Sequence, residues 1–373
     1  MRRRIRLRFA NNRSARGTSA RLRRARSLLV YWRGGELVFE NYATRVVVSA
    51  HPVTLSLLSF FESWRPAGAA LRRFHEYSAE SVKAGIGQLL RHTLLVAEGS
   101  AEARLDTRIE GDWAHWMPLG AAFHFGTKDT HFLSTARATP LMRAYLKESP
   151  QPPFFKTYPR AKKVALPAPA PAEDELRRVL MARESRRHFT KQPVPLEALS
   201  NLLHYTWAVT GYLDTPLFGK LPHKTSPSGG ARHPNEVYVV ATRVEGLAPG
   251  IYHYDVRRHR LELVHRAVTP KRAMEYCVGQ KHARDAAALF LMTAVFPRTM
   301  WKYREARSYR AVLLEAGHFC QTLCLLATQM GLGPFCTAAL KDTLIENDLG
   351  IDGVRESILY VAGVGWPQPG TRH

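Results

Sequence analysis

The stretch Lys302–Gly333 reads KYREARSYRAVLLEAGHFCQTLCLLATQMGLG and is the most informative part of the chain for the fold. Its apolar residues recur at helical spacing, which predicts a long amphipathic helix over Tyr309–Met330 that ends at Gly331. Lys302 and Tyr303, an amine beside a phenol, stand just before this helix. Such a pair can move protons where burial or neighbouring positive charge lowers the pKa of the amine. Taken alone, the two residues are better explained as a solvated lysine beside a packed tyrosine.

An upstream basic segment carries donors that suit a phosphate-bearing ligand. Arg183, Ser185 and Arg187 alternate along the chain, so on an extended or turning backbone they project to one side. Two guanidiniums and a hydroxyl can together hold a phosphate and a polar ring edge. A solvated basic surface at a helix C-terminus is the alternative, and the segment alone does not decide between the two.

A second segment, Pro227-Ser228-Gly229-Gly230, is a glycine turn. Its backbone N–H groups can approach a ligand closely because glycine has no side chain. An ordinary structural turn explains the same residues. No GxGxxG motif follows a strand and no phosphate-binding GxxxxGK[ST] motif is present, so the common nucleotide-binding fingerprints are excluded.

Composition predicts a globular chain with a basic N-terminus. With 373 residues and 45% hydrophobic residues, the chain is long enough for two or three domains. The net charge is +23, and 11 arginines fall within the first 26 residues, before any acid. A nucleic-acid or membrane-surface arm, a transit peptide and a plain disordered tail all fit, and the last is favoured. Without a secretory signal or a run of about 18 apolar residues, the chain is expected to be soluble and cytoplasmic.

The cysteines are too few for a disulfide framework, since the chain has only four. His318, Cys320 and Cys324 have spacing that suits metal ligands. However, Cys320 and Cys324 share the apolar face of the predicted helix, so core packing is the better interpretation and no metal site is predicted.

The chain divides into four regions by composition and periodicity. They are a basic disordered tail (1–27), a winged-helix-like module (28–100), a connecting region (101–172) and a C-terminal domain (173–373). The module is predicted to have two strands and three short helices, with Ser78 as an N-cap. The connecting region is rich in aromatic and polar residues without a clear period, and ends in a stiff Pro-Ala linker over 166–172. Helices and strands of the C-terminal domain do not alternate strictly, which predicts the α+β class.

The combined motifs resemble those of the nitroreductase-like flavoproteins and, more narrowly, the SagB-type dehydrogenases of ribosomal-peptide maturation. The likeness extends over about residues 173–367. Its landmarks are Arg183–Phe189, Pro227–Pro234, Lys302-Tyr303-Arg304 followed by Gly317-His318, and the closing Gly363–Pro367. This resemblance implies a mixed sheet flanked by helices, a homodimer, and FMN bound at the subunit interface.

The resemblance also implies roles for individual residues. FMN would be held by Arg183, Ser185 and Arg187, with the turn residues Ser228, Gly229 and Gly230 against the flavin from the partner subunit. Lys302 and Tyr303 would be the catalytic pair. Trp366 stands where the family often has a basic phosphate contact, and Arg232 or Lys341 are the candidates to replace it.

The N-terminal module resembles the PqqD-type peptide-recognition elements in the order of its strands and helices. This likeness implies a leader peptide bound along a sheet edge. The expected activity is oxidation of azoline rings to azoles in a precursor peptide, with a cyclodehydratase as a further partner. An NAD(P)H-dependent nitro-, quinone or dehydroamino-acid reductase is the alternative. A winged-helix protein that binds DNA is a third hypothesis, and the intact flavin-site motifs make nucleic acid the least expected partner.

Overall fold

The computed structural model describes residues 5–6, 21–149, 154, 160, 163, 166–168 and 171–370. The N-terminal module is built from strands and helices around one apolar core that includes Phe39, Phe61 and Leu89. Its elements are β1 (Ile5–Arg6), β2 (Arg21–Arg24), β3 (Leu28–Arg33), β4 (Glu36–Asn41), β5 (Val46–Ser49), α1 (Val53–Phe60), β6 (Arg65–Pro66), α2 (Ala67–Arg73), α3 (Ala79–Arg91) and β7 (Leu95–Ala97).

Two small sheets form this module. One has the order β1-β5-β4-β3, with β1 parallel to β5 and the other pairs antiparallel. The second has the order β6-β2-β7 and is antiparallel. The predicted N-cap of α3 is confirmed, because the Ser78 hydroxyl accepts a hydrogen bond from the backbone N–H of Ser81. The strand β3 had not been predicted.

The predicted disordered tail is wrong over residues 21–27. Leu22 is buried in the module core, and the guanidinium of Arg23 forms a buried 2.7 Å ion pair with Asp106. Asp106 also accepts hydrogen bonds from the backbone N–H groups of Arg26 and Ser27. The arginine-rich composition of this segment does not indicate a strand. The strand is stabilised instead by partners that lie far away in the sequence. Residues 1–4 and 7–20 of the predicted tail lie outside the described residues.

The connecting region contains three helices that its sequence pattern did not reveal. They are α4 (Ala101–Asp112), α5 (Leu119–Thr127) and α6 (Thr135–Glu148). Trp113 and Trp116 lie between α4 and α5 and are completely buried. Trp113 donates a 2.9 Å hydrogen bond to the carbonyl of Val354, and Lys128 forms a 2.5 Å ion pair with Glu346. Residues 101–128 are therefore packed onto the C-terminal domain, and the predicted Pro-Ala linker lies only partly within the described residues.

The C-terminal domain is a six-stranded sheet with helices on both faces. Its elements are α7 (Glu175–Ala182), α8 (Leu196–Trp207), β8 (Val209–Thr215), β9 (Gly219–Lys224), β10 (Asn235–Ala241), β11 (Gly250–Asp255), β12 (Arg260–Arg266), α9 (Pro270–Tyr276), α10 (Lys281–Asp285), β13 (Ala288–Val295), α11 (Phe296–Met300), α12 (Tyr309–Gln329), β14 (Gly333–Thr337), α13 (Asp342–Leu349) and β15 (Glu356–Gly365). The order is β12-β11-β10-β13-β15-β14. The α+β class is confirmed, although all the described pairings of this sheet are antiparallel and a mixed sheet was expected.

The long helix α12 packs against one face of this sheet. Phe319 and Leu323 are fully buried there with Trp207 of α8, whereas α9, α10 and α13 cover the opposite face. Gly331 has φ +75° directly after the end of α12, as predicted for a helix stop. In the described part of the chain, one stretch, Ala306–Gln329, is long and apolar enough to cross a membrane. Because its buried residues belong to the cluster under the sheet and to the cluster around Trp113 and Trp116, we interpret it as a core helix.

Candidate active site

The predicted catalytic pair lies in the turn that joins α11 to α12. The backbone N–H groups of Lys302 and Tyr303 both donate to the carbonyl of Thr299, at 3.2 and 2.9 Å. The indole Nε1 of Trp116 donates a 3.0 Å hydrogen bond to the carbonyl of Tyr303. Both side chains of the pair are half-buried and the neighbouring Arg304 is exposed. The turn is thus held by backbone contacts from two directions, while the deep burial expected for the pair is absent.

The glycine turn meets this pair directly. Gly230 has φ +61°, a left-handed conformation that disfavours side chains. A Cβ atom at Gly230 would lie 2.7 Å from Nζ of Lys302 and would overlap the Tyr303 hydroxyl. The Ser228 hydroxyl accepts a 2.9 Å hydrogen bond from the N–H of His233, which closes the turn. Two sequence-predicted groups, separated by about 70 residues of chain, therefore converge at one point.

Two exposed aromatic rings near the catalytic pair, Phe218 and Trp301, had not been predicted. Lys302 Nζ lies 4.9 Å from the ring centre of Phe218, which is in the β8–β9 hairpin. Phe218 and Trp301 pack edge to face at 6.0 Å, and the guanidinium of Arg232 lies over both rings. Arg232 also donates to the carbonyl of Gly230 at 3.0 Å. Arg232 therefore belongs to the Gly230 turn. Cationic groups over aromatic faces are favourable, so these rings help to place both cations.

A buried polar network lies beneath the glycine turn. Burial raises the pKa of Glu315, on α12, although hydrogen bonds from Ser228 and Asn235 oppose this effect. Burial lowers the pKa of His233 to about 4, and it also lowers the pKa of Lys224, which nearby Glu236 and Glu315 partly offset. Glu315 Oε1 and His233 Nδ1 have no hydrogen-bond partner among the described residues. The network therefore retains an unused acceptor and an unused ring nitrogen directly under the turn.

The predicted anion-binding segment lies elsewhere on the domain, beside β14. Arg183 directly follows α7, and the N–H of Arg186 donates a 2.8 Å hydrogen bond to the carbonyl of Pro334. Arg183 and Ser185 are half-buried and Arg187 is exposed. Neither the Arg183 nor the Arg187 guanidinium forms an ion pair with a carboxylate in the described part of the chain. The segment therefore presents two cations without internal acidic partners.

The glycine turn and α7, the helix that leads into Arg183, contact different ends of α12. Gly229 lies against Ala311 in the first turn, where a Cβ at Gly229 would be 3.7 Å from the Ala311 Cβ. At the other end, Gln329 donates to Glu175 of α7, the helix that leads into Arg183. Ala311 and Gln329 are about 27 Å apart along the helix axis at 1.5 Å per residue. The structure thus brings Gly230, Lys302 and Tyr303 together and leaves Arg183–Arg187 as a separate group in the same chain.

The residues present fit a phosphate-bearing flavin by the chemistry of their donors. Arg183, Ser185 and Arg187 offer charged and neutral donors for a phosphate and a ring edge, which is the donor set that FMN needs. Because Gly230 has no side chain, the Lys302 amine and the Tyr303 hydroxyl can approach the backbone of the turn closely. Trp366 packs against the backbone, donating to the carbonyl of Pro193 at 3.0 Å. Lys341 is exposed at the start of α13.

Comparison with known proteins identifies the family. The model of the nitroreductase family matches residues 180–366, about half of the chain. The chain belongs to the nitroreductase family. The matched residues include the Arg183–Arg187 segment, the Gly230 turn and the Lys302–Tyr303 pair. The nitroreductase-like recognition made from the three motifs is therefore confirmed, and the protein is assigned to the oxidoreductases.

Two curated relatives of this nitroreductase-family protein are, by their names, processing proteins for trifolitoxin and for microcin B17. The trifolitoxin-processing protein TfxB of Rhizobium leguminosarum bv. trifolii is 34% identical over 177 residues, 45% of this chain and 48% of TfxB. The microcin B17-processing protein McbC of Escherichia coli is 30% identical over 132 residues, 34% of this chain and 48% of McbC. The matches thus cover about half the length of these relatives. They agree with the narrower SagB-type resemblance.

A solved structure extends over more of this nitroreductase-family chain. It is the E. coli microcin synthetase McbBCD complex with truncated pro-MccB17 bound, with a TM-score of 0.48 and 21% identity. The match covers 69% of this chain and 96% of that chain.

The core interpretation of Cys320 and Cys324 is confirmed. Cys320 and Cys324 are buried in the core cluster with Phe319 and Leu323. Cys336, on β14, is exposed. No group of three or more His, Cys, Asp or Glu residues in the described ranges is arranged to hold a metal ion.

Proposed function

We propose that this protein is an FMN-dependent dehydrogenase that oxidises azoline rings to azoles in a ribosomally synthesised peptide. The observation that carries the proposal is the convergence of Lys302 and Tyr303 on the Gly230 turn. A base and a phenol are held there together, directly against the backbone of a residue without a side chain. The names of TfxB and McbC support a peptide as the substrate class.

The chain's own residues supply positioning and proton transfer. Conversion of an azoline to an azole removes one proton and one hydride from the ring. Bound FMN would accept the hydride, since the cofactor carries the redox chemistry and the protein orients it. Lys302 or Tyr303 removes the ring proton, and the Trp116 hydrogen bond holds their backbone in place. The aromatic ring of Phe218, which packs against Trp301, restricts where the Lys302 amine can point.

The separation of the Arg183–Arg187 segment from the Gly230 turn within one chain supports a homodimer. Each active site would take Arg183, Ser185 and Arg187 from one chain, and Ser228, Gly229 and Gly230 from the other. A twofold axis makes such sharing reciprocal, so that one interface produces two identical sites.

The N-terminal module is proposed to bind the leader part of the peptide. In the described part of the chain β3 is an edge strand of its sheet, and Val30 and Trp32 on it are exposed. An extended peptide can pair with such an edge through main-chain hydrogen bonds. A cyclodehydratase would supply the azoline-bearing peptide, because the reaction consumes a ring that must first be formed.

The decisive experiment starts from the purified full chain and its cofactor. The absorption spectrum is recorded, the cofactor is released by heat and identified, and the protein is then incubated with an azoline-bearing peptide. We expect FMN, and a loss of about 2 Da for each ring oxidised, which is the mass of the two hydrogens transferred. Lys302→Ala should abolish turnover while FMN remains bound. A colourless protein that does not take up FMN would refute the proposal.

The family match also favours a second candidate, an NAD(P)H-dependent reductase of nitro compounds, quinones or dehydroamino acids. The fold is the same and only the direction of hydride transfer differs. Rapid bleaching of the bound flavin by NADH or NADPH without oxygen would favour this reductase. Flavin that stays oxidised with either nucleotide, but bleaches with the azoline peptide, would favour the dehydrogenase.

A further inference from the structure

Cys336 has a side-chain environment that the flavin chemistry does not explain. It lies on β14, the outermost strand of the six-stranded sheet, and its strand partner is Ala362. The preceding residue, Phe335, packs into the core on the face covered by α9, α10 and α13. Because side chains alternate along a strand, Cys336 faces the opposite side, toward α12. Cys320 of α12 lies on that same face.

Four side chains from three parts of the fold surround the Cys336 sulfur. Cys320 on α12 and Tyr360 on β15 form side-chain hydrogen bonds with Cys336, and Cys320 also contacts Cys324. Arg183 and Arg187, from the segment after α7, add two positive charges. That segment is fixed against β14 by the Arg186–Pro334 hydrogen bond. The Cys336 sulfur thus accepts hydrogen bonds from the Cys320 thiol and the Tyr360 hydroxyl, and it lies close to two guanidinium groups.

The direction of the pKa shift differs between the cysteines. The hydrogen bond from Cys320, with help from Tyr360 and the two arginines, lowers the pKa of Cys336 to about 6. Hydrogen bonds with Cys324 and Cys336 raise the pKa of Cys320, and burial, with the Cys336 hydrogen bond, raises the pKa of Tyr360. Burial alone raises the pKa of Cys277 to about 12. Only Cys336 among these three cysteines therefore combines exposure with stabilisation of its thiolate.

We propose that Cys336 is a peroxide-reactive thiolate and that Cys320 is its resolving thiol, which makes this pair an oxidative modification site beside the Arg183–Arg187 segment. The oxidant is a hydroperoxide such as hydrogen peroxide. A low-pKa, accessible cysteine beside a second cysteine is the arrangement that supports reversible oxidation. The proposal requires no bound flavin and no peptide, so it stands apart from the proposed function.

The reaction balances in two steps. The Cys336 thiolate attacks one oxygen of hydrogen peroxide, an S–O bond forms, the O–O bond breaks, and the leaving hydroxide takes a proton to become water. The product is a sulfenic acid at Cys336. Cys320 sulfur then attacks the Cys336 sulfur, an S–S bond forms, the S–O bond breaks, and the leaving hydroxide combines with the Cys320 proton. Two thiols are oxidised and one peroxide is reduced to two waters.

The first test measures alkylation by iodoacetamide on the reduced full chain, resolved by residue with peptide mass spectrometry. Reactivity of Cys336 should reach half of its maximum near pH 6. At this pH Cys336 should react about tenfold faster than an unhindered thiol of ordinary pKa, after allowing for the lower nucleophilicity of a weakly basic thiolate. Cys277 in the same sample is the internal control and should remain unmodified. A half-maximum at pH 8 or above for Cys336 would overturn the proposal.

The second test treats the protein with hydrogen peroxide and identifies the products by mass. The wild type should lose about 2 Da and yield a Cys320–Cys336 linked peptide that dithiothreitol reverses. Cys320→Ser should instead accumulate a sulfenic acid at Cys336 that dimedone traps. Cys324→Ser is the matched control on the same helix and should still form the disulfide. A linked pair other than Cys320–Cys336, or no peroxide product at Cys336 in the wild type, would refute the assignment without requiring any variant to fold.

Discussion

Trp116 donates a hydrogen bond of 3.0 Å from its indole Nε1 to the backbone carbonyl of Tyr303. The two residues are 187 positions apart, and Trp116 lies in the region that joins the N-terminal module to the C-terminal domain. This region therefore supports the predicted catalytic turn directly. An indole that packs its ring in the core and satisfies a buried carbonyl contributes both burial and a hydrogen bond.

Trp116→Phe should weaken both stability and turnover. The variant keeps an aromatic ring but leaves the Tyr303 carbonyl without its donor, which costs about 1–3 kcal/mol for a buried group. Trp113→Phe is the matched control, because Trp113 is also fully buried but donates to Val354. Chemical denaturation should give similar losses for the two variants, whereas turnover should fall specifically in Trp116→Phe. Equal turnover in both variants would contradict the positioning role.

Gly230→Ala should remove activity because the new methyl group must occupy space held by the catalytic pair. The added Cβ would lie 2.7 Å from Lys302 Nζ, and alanine is strained at φ +61°. We expect a loss of at least about tenfold in kcat/KM, which corresponds to about 1.4 kcal/mol. Gly111→Ala, with open space around an ordinary helical position, should leave activity unchanged. A fully active Gly230→Ala variant would show that the turn does not form part of the site.

Asp106→Asn should destabilise the N-terminal module strongly. Asp106 is buried, pairs with Arg23 and accepts the backbone N–H groups at the end of β2. Removing the charge leaves the Arg23 guanidinium buried without its counter-ion, which costs about 3–5 kcal/mol. Glu110→Gln, which breaks the exposed ion pair with Arg26, should cost less than about 1 kcal/mol. Denaturant titration of both variants gives the comparison, and similar costs would argue against a buried role for Asp106.

The protein should lose stability as the pH falls below about 6.5, in part through His124. Burial lowers the pKa of His124 to about 3, and its Nδ1 shares a 2.9 Å hydrogen bond with the Tyr309 hydroxyl. Between pH 6.5, the ordinary pKa of histidine, and about pH 3, the pKa of His124 in the folded protein, the unfolded chain binds a proton that the folded chain does not. The free energy of unfolding should therefore fall by about 2 kcal/mol per such histidine from pH 7 to pH 5.

Denaturation of wild type, His124→Phe and His115→Gln at both pH values isolates this contribution. His124→Phe should show a shallower decline with pH than the wild type, because it has lost the buried titrating group. His115 is exposed, so His115→Gln should keep the wild-type slope. An unchanged slope in His124→Phe would assign the acid sensitivity to other groups.

Local patterns in the sequence were sufficient to predict those features that one short segment defines by itself. The helical period of α12 and the stop at Gly331 are examples, since periodicity and a left-handed glycine are encoded locally. The same holds for the glycine turn. The family motifs then placed Lys302 and Tyr303 in one site with this turn, and the structure brings them into contact.

The missed features depend on partners that lie far away in the sequence. The strand β2 is stabilised by Asp106, about 80 residues later, so its arginine-rich composition alone indicates a tail. Trp113 and Trp116 bury their rings against the C-terminal domain, which hides any helical period in residues 101–128. Phe218 and Trp301 meet only because the β8–β9 hairpin folds over the turn before α12. Tertiary packing decides such features, and it leaves no local signature.

The separation of the Arg183–Arg187 segment from the Gly230 turn in one chain has a genetic consequence. In the proposed homodimer, an Arg187→Ala chain and a Gly230→Ala chain would each be inactive alone, since each lesion would spoil both sites of its own dimer. When the two chains assemble together, half of the dimers are mixed and carry one undamaged site and one doubly damaged site. Co-expression of two inactive alleles would then restore about a quarter of the wild-type activity by intragenic complementation.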